Sequence, residues 1–352
     1  MSRYFLTIRG TNKDMAVSEF KILWICYFDE EIFVEKISGL YYYFDSKILI
    51  EDYDDCLEML KRVTMMHSLS LVIYEGSSYE EFCEIINSCD LKYLIGKSFA
   101  IEEHFTGDSA LFDARWLAKP IWEGLDSPRV NLDNPDFRFL SVSFDNLFFF
   151  SRVIYRNSKG YLERMPKLRP VARPYTLKAD MARVIVNYLG IKNEEGSRRR
   201  VFDPFCGIGG ILMEAFDMGF NVVGNDISTN DIKDCKINFE KFFNGYLDKE
   251  DRECRFFNED IKVLDGKDIG RVDGIVTDIP YGRCSRKLGD DIYRDFLSLS
   301  YNVLPEKGRL VVVFSSITGD FYDLAKEYFR DVLFVEEYIN KSMTRYIAIF
   351  EK

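Results

Sequence analysis

The sequence predicts an α/β protein. Its carboxyl-terminal half reads as a mostly parallel sheet with helical crossovers, preceded by smaller α+β units. Three observations predict this. From Arg200 onward, apolar strand-like runs alternate with amphipathic helical stretches, the pattern of a parallel sheet. The run Val201-Phe202-Asp203-Pro204-Phe205-Cys206-Gly207-Ile208-Gly209-Gly210 reads as a buried strand, a glycine-rich turn and a helix start. Such a turn points backbone N–H groups and a positive helix end at an anionic ligand. Acids recur at or beside the ends of successive strands, at Asp203, Asp226 and Asp260, where ligands bind in open α/β sheets.

Composition narrows the class. At 352 residues the chain has length for two or three domains. It contains no apolar run near the roughly eighteen residues of a membrane helix, and its start lacks a signal-peptide layout. A cytoplasmic protein without a membrane association is therefore expected. The eight cysteines include no C-x-x-C pair and the histidines are only His67 and His104, so no metal site and no disulfides are expected. The net charge of −11 argues against wholesale adhesion to nucleic acid. The charge is segregated, however: Ser151 to Arg183 holds nine Lys/Arg against two Asp/Glu.

Taken in order, residues 1–75 predict a small α+β unit. Tyr4–Ile8 and Leu40–Phe44 suit strands, and apolar spacing over Met15–Trp24 suits a helix. Asp52–Met66 predicts a further helix with acids in its first turn. Residues 76–154 predict a second unit: helices over Tyr79–Ile86 and Ala110–Glu123, and strands over Ser98–Glu103, Arg138–Phe144 and Leu147–Ile154. Between its last helix and last strands lies the turn-rich run Val130-Asn131-Leu132-Asp133-Asn134-Pro135-Asp136. Residues 155–174 are basic and punctuated by Pro166, Pro170 and Pro174, which predicts an extended linker able to follow a phosphate backbone. Arg164, Lys167, Arg169 and Arg173 are its candidate phosphate contacts. A helix with Thr176 as N-cap then opens the last unit, 175–352.

In that unit, strands are predicted at Arg200–Asp203, Asn221–Gly224, Arg255–Phe257, Gly274–Thr277 and Leu310–Phe314, with Leu333–Tyr338 and Arg345–Phe350 as a final hairpin. Helices follow over Ile211–Phe216, Asp291–Val303 and Asp320–Phe329. A dinucleotide fingerprint would need glycine where Leu212 stands, so hydride transfer is disfavoured. Asp203 at a strand end suits a ligand with a cationic amino-acid end, and Asp226 can accept both hydroxyls of a ribose.

The reaction is suggested by Asp278-Ile279-Pro280-Tyr281-Gly282, directly after an apolar strand. An exocyclic amine of a base is a poor nucleophile, because its lone pair is delocalised into the ring. Asp278 can accept one of its N–H groups and a backbone carbonyl of the proline turn the other. Tyr281 can stack on an everted base, and Gly282 lets the backbone come close. Arg283 opens a basic stretch able to reach substrate phosphate.

These motifs carry a family resemblance. The glycine loop with Asp203, Asp226 and Asp260 resembles the donor site of class I S-adenosylmethionine methyltransferases. The resemblance implies a Rossmann-like domain with a C-terminal β-hairpin, with Cys206, Gly207, Gly209, Ile227 and Ile261 beside those acids around the cofactor and Asp260 at its adenine. Asp278-Ile279-Pro280-Tyr281-Gly282 resembles the D-P-P-Y-G motif of amino-methylating enzymes, which makes Asp278, Pro280, Tyr281 and Gly282 the catalytic candidates. Ile279 replaces the first proline, and weaker pre-organisation of the turn is the expected consequence. Val130–Asp136 and Gly160-Tyr161-Leu162-Glu163-Arg164-Met165-Pro166 resemble the end of a THUMP domain, and the first unit resembles a ferredoxin-like fold.

The combination resembles the archaeal and eukaryotic tRNA guanine-N2-methyltransferases acting on guanosine 10. The resemblance implies one or two methyl transfers to a guanosine N2 amine in tRNA, and its eukaryotic members use a small activating subunit. Another tRNA or rRNA guanosine (guanosine 6 of tRNA, for example), a DNA amine, or an RNA adaptor that binds the cofactor without activity remain the alternatives.

Overall fold

The computed structural model describes the chain except residues 11, 51–53, 107–110, 145, 175, 246–251, 281–289, 316–319 and 341–342. Two compact units result. Met1–Val17, Glu30–Lys61 and Met65–Ser158 make the first; Ser18–Asp29, Arg62–Thr64 and Lys159–Lys352 make the second.

The first unit carries β1 (Ser2–Ile8), the start of α1 (Lys13–Phe28), β2 (Glu35–Ser38), β3 (Tyr41–Ser46), α2 (Asp54–Arg62) and β4 (Met66–Gly76). It continues with α3 (Tyr79–Ser88), β5 (Ser98–Thr106), α4 (Ala114–Glu123), β6 (Arg129–Val130), β7 (Phe137–Phe144) and β8 (Leu147–Arg156). All eight strands form one mixed sheet, in the order β2-β3-β1-β4-β8-β7-β5-β6. The division expected near residue 75 thus falls at the end of β4, a strand paired with β1 on one side and β8 on the other. The helix expected to run to Met66 stops at Arg62, and Met66 opens β4.

Local chemistry explains the helix details. Ser78 caps α3 by accepting the Glu81 N–H. Pro120 lies inside α4 and has no N–H for the carbonyl four residues back. The Tyr79 hydroxyl supplies the missing donor to that Trp116 carbonyl, at 2.9 Å. Asn131 organises the 131–136 turn, its Oδ1 accepting the Asp133 and Asn134 N–H groups.

In the second unit the order is α5 (Ala179–Asn187), β9 (Arg200–Asp203), α6 (Gly210–Asp217), β10 (Asn221–Asn225), α7 (Thr229–Phe242) and β11 (Cys254–Phe257). Then come α8 (Gly266–Ile269), β12 (Gly274–Asp278), α9 (Asp290–Val303), β13 (Arg309–Ser315), α10 (Phe321–Lys326), β14 (Arg330–Asn340) and β15 (Met343–Glu351). The sheet runs β11-β10-β9-β12-β13-β15-β14. Its first five strands are parallel, and β14–β15 is the expected antiparallel hairpin. Val201, Phe202, Val222, Val223, Ile275 and Val276 are fully buried, as parallel strands covered on both faces require. The strand order reverses between β9 and β12, and the crevice at such a switch point is where ligands bind.

Two expectations are corrected here. The proline-rich segment is not extended: Gly160–Arg164 and Pro166–Leu168 form short 3-10 turns. Thr176 does not cap α5, which begins at Ala179 after Lys178. The Thr176 hydroxyl instead accepts the Arg173 N–H at 3.2 Å.

Candidate active site

The site is built on the carboxyl ends of β9, β10, β11 and β12. After β9 the chain turns tightly, with Gly207 and Gly209 at φ +50° and +84°. A side chain at Gly209 would also meet Cys235 Sγ at 2.5 Å, so both conformation and space demand glycine there. The turn delivers the chain into α6.

Asp203 is buried at the centre. Its Oδ1 accepts the Thr277 hydroxyl at 2.6 Å and the Phe205 N–H at 3.1 Å. Burial, opposed by these two bonds and reinforced by Asp226 and Asp278, pushes its carboxyl up to about 8. Asp226 bridges two turns: its Oδ2 accepts the Gly207 N–H and its Oδ1 the Ser228 N–H, both at 2.9 Å. Burial raises this carboxyl too, against the same two bonds. Ile227 beside it is 68% exposed, an apolar face held in the open at the strand end. Asp260 is half-buried and accepts the Lys262 N–H, while Ile261 is buried. Cys206 is buried, and its bond with Cys235 followed by desolvation holds its thiol well above the usual range. It is packing, with no nucleophilic character.

Asp278 ends β12, one residue past Thr277, so Asp278 and Asp203 stand at the ends of adjacent strands joined by the Thr277–Asp203 bond. Pro280 follows in the loop; Tyr281, Gly282 and Arg283 lie outside the described residues. Ile279 corrects an expectation. Its N–H donates to the Val313 carbonyl at 3.0 Å, a bond proline cannot make, and its side chain is fully buried in the apolar core that includes Phe202 and Phe296. The replacement extends the strand ladder by one bond.

The basic segment is also corrected. Arg164 is buried and forks onto Glu214, Nε to Oε1 at 2.9 Å and Nη2 to Oε2 at 2.8 Å, with Asp217 at 2.7 Å. Arg169 is buried. Arg173 pairs with Asp231 and Asp234 of α7. Of the candidate phosphate contacts here, Lys167 alone is exposed. Arginines whose charge is spent inside the protein are not available to a backbone phosphate.

Residues 166–345, more than half the chain, match the UPF0020 family, described as RMKL-like, methyltransferase domain. The chain belongs to this family. Along its length it is 26% identical over 353 residues to the tRNA (guanine(10)-N2)-dimethyltransferase of Pyrococcus abyssi, covering 99% of each chain. It is 29% identical over 300 residues to the enzyme of that name from Methanothermobacter thermautotrophicus, covering 83% of this chain and 84% of the relative. Among solved structures, TrmN from Thermus thermophilus superposes over the whole of both chains with a TM-score of 0.52 at 18% identity, a likeness of fold.

As a UPF0020 methyltransferase the protein uses S-adenosyl-L-methionine, and the residues present fit it. Gly207, with nothing within 4 Å of where a side chain would begin, and the buried carboxyls of Asp203 and Asp226 beside it suit a ligand with a cationic end. Sequence reading missed two residues that hold this architecture. Asn225 is buried; its Nδ2 donates to the Pro204 and Glu259 carbonyls and its Oδ1 accepts the Glu259 N–H, tying the turns after β9 and β11 to β10. Asn238, on α7, donates to the Val171 and Ile208 carbonyls and accepts the Val171 N–H. An asparagine inside a strand end (Gly224-Asn225-Asp226) and one on a helix's buried face are the signals that could have marked them.

Proposed function

We propose that the protein transfers methyl groups from S-adenosyl-L-methionine to the exocyclic N2 amine of guanosine 10 in tRNA, twice, giving N2,N2-dimethylguanosine. The observation that carries this reading is the placement of Asp278 at the end of β12 beside Asp203 at the end of β9, flanking the switch point. Relatives bearing that activity in their names, aligned over nearly the full chain, support the substrate.

When bound, the cofactor supplies an electrophilic methyl group. The chain's own residues do the rest. Asp203 and the carboxylate ring take the ammonium end, Asp226 the ribose hydroxyls, and Asp260 with Ile227 and Ile261 the adenine. Asp278 accepts one N–H of the guanine amine and the carbonyl of Ile279 or Pro280 the other, drawing electron density onto nitrogen. Tyr281 stacks on the everted base, Gly282 leaves room for it, and Arg283 meets phosphate. Holding this nitrogen in line with the methyl group supplies much of the rate. The proton leaves to Asp278.

The first unit, with its THUMP-like 130–136 turn, is the part proposed to hold tRNA. The protein would act in the cytoplasm; no helix among the described residues is long and apolar enough to cross a membrane. The chain is proposed to act without the small activating subunit that the family resemblance implies for eukaryotic members. Labelled methyl incorporation into unmodified tRNA by the chain alone, followed by nuclease digestion and mass spectrometry, should place N2,N2-dimethylguanosine at position 10. Label at another guanosine would move the target; label on adenosine or none with cofactor bound would overturn the reading.

A further inference from the structure

Asp278 is the acid proposed to face the amine, and the sheet holds it unevenly. β9 ends at Asp203, and the register partners it shares with β12 stop at Ile275↔Phe202. Asp278 thus lies past the paired length of β9, on the side where the crevice opens. Towards β13 the register continues through Asp278↔Val313. Ile279, already outside the strand, carries the ladder one step further, its N–H donating to the Val313 carbonyl at 3.0 Å. What reaches across to β9 is a side chain, the Thr277 hydroxyl on Asp203 at 2.6 Å. The acid therefore stands between two residues, each tied to a different neighbouring strand.

Three features make the Ile279 bond an anchor. Pro280 follows it, and a residue before proline is biased to extended backbone, the conformation a ladder bond needs. The Ile279 side chain is fully buried, in the core that includes Phe202, Phe296 and Phe314. Val313 is fully buried too, so taking the N–H away strands a buried carbonyl. A proline at 279 would fix one dihedral and remove this bond.

We propose that Ile279 is a positioning residue for the acceptor side of the site: its N–H, held by Val313, sets where Asp278 stands, and its side chain supplies stability. This rests on the amine-methylation reading above. Asp278 meets the amine, and Ile279 acts through it. The departure from the D-P-P-Y-G pattern is then a gain of fixation, and restoring the proline should slow the enzyme.

The test is steady-state methylation of unmodified tRNA by the full chain carrying Ile279→Pro, Ile279→Ala or Ile279→Val, with melts and calorimetric titration of S-adenosylhomocysteine alongside. Ile279→Pro loses the N–H, Ile279→Ala keeps it and loses most of the buried side chain, and Ile279→Val keeps nearly both. Ile279→Pro should lower kcat roughly 10- to 100-fold, the scale of a reacting group misplaced by about 1 Å. Its KM for tRNA and its S-adenosylhomocysteine affinity should stay near wild type. Ile279→Pro and Ile279→Ala should both melt below wild type, but Ile279→Ala should lose far less kcat, and Ile279→Val least of the three. Equal kcat losses in Ile279→Pro and Ile279→Ala, or a kcat for Ile279→Pro at or above wild type, would overturn the assignment. Should Ile279→Pro not fold, hydrogen exchange of the wild type followed by NMR decides. The Ile279 amide should exchange as slowly as the amides of β12; exchange at the rate of an open loop in an active wild type would overturn this assignment alone. Absence of methyl transfer by the wild type would instead overturn the amine-methylation reading on which it rests.

Discussion

Two charged regions of the second unit end in opposite conditions. Asp203, Asp226 and Asp260 stand at the strand ends with hydroxyl and N–H donors for partners, and Asp278 ends the adjoining β12. Of the arginines of residues 160–173, Arg164 is buried on carboxylates of α6 and the half-buried Arg173 pairs with carboxylates of α7. Asp203, Asp226 and Asp260 meet neutral donors, and the arginines spend most of their charge on the fold. Function belongs to groups that the fold has not already paired with an opposite charge.

Single substitutions test this contrast. The largest effect is expected at the crevice: Asp278→Ala should reduce methyl transfer by roughly 10²- to 10⁴-fold, while S-adenosylhomocysteine affinity by calorimetry stays near wild type. A collapse in that affinity would remove Asp278 from the acceptor side. On the interior side, Glu214→Leu leaves Asp217 as the remaining acid for both Arg164 and Arg183 and should cost about 3–5 kcal/mol of stability, read from denaturant melts. A melt unchanged from wild type would mean that the arginines of this segment are not structural.

Next in size, Asp226→Ala should weaken S-adenosylhomocysteine binding by roughly 10- to 100-fold. Asp203 adds a pH signature to the same titration. Its carboxyl is pushed up to about 8, above the unfolded value of 3.8, so the folded chain holds a proton that the unfolded chain has released between those limits. The stability this contributes is fully present below the lower value and is lost as pH rises through the upper one. If a cationic ligand end ionises Asp203, binding below about pH 8 releases a proton and affinity climbs as pH rises towards it. Asp203→Asn should flatten both slopes; slopes that persist would assign them to another group.

The smallest effect separates the exposed base from its inward neighbours. Lys167→Ala should leave the melting temperature alone and lower the salt dependence of tRNA binding by about one phosphate contact. Arg173→Ala should do the reverse, lowering the melting temperature slightly with the salt slope intact.

Much of this was legible beforehand. Periodicity located every strand of the second sheet, because buried parallel strands are short apolar runs with little else in them. The acids were legible because a carboxylate just past such a run can only stand at the sheet's carboxyl edge. In the first unit the strand pattern is partly legible: β2, β4 and β6 are missed, and Met66, which opens β4, is placed at the end of a helix. The inward turn of Arg164 could not be read locally, since its partner Glu214 lies 50 residues away. Nor could the role of Ile279, whose N–H meets a carbonyl on β13.

By itself, then, the sequence determined the parallel sheet, the glycine turn, the acids ranged along one edge and the amine-methylating motif, all of them set by residue type and spacing along a single stretch. Tertiary structure alone decided which charges are free. A guanidinium is a phosphate contact in water and a structural pair in the interior. What separates the two is the dielectric around it and the acid that folding brings within 3 Å or so, and neither is written in the residues beside it.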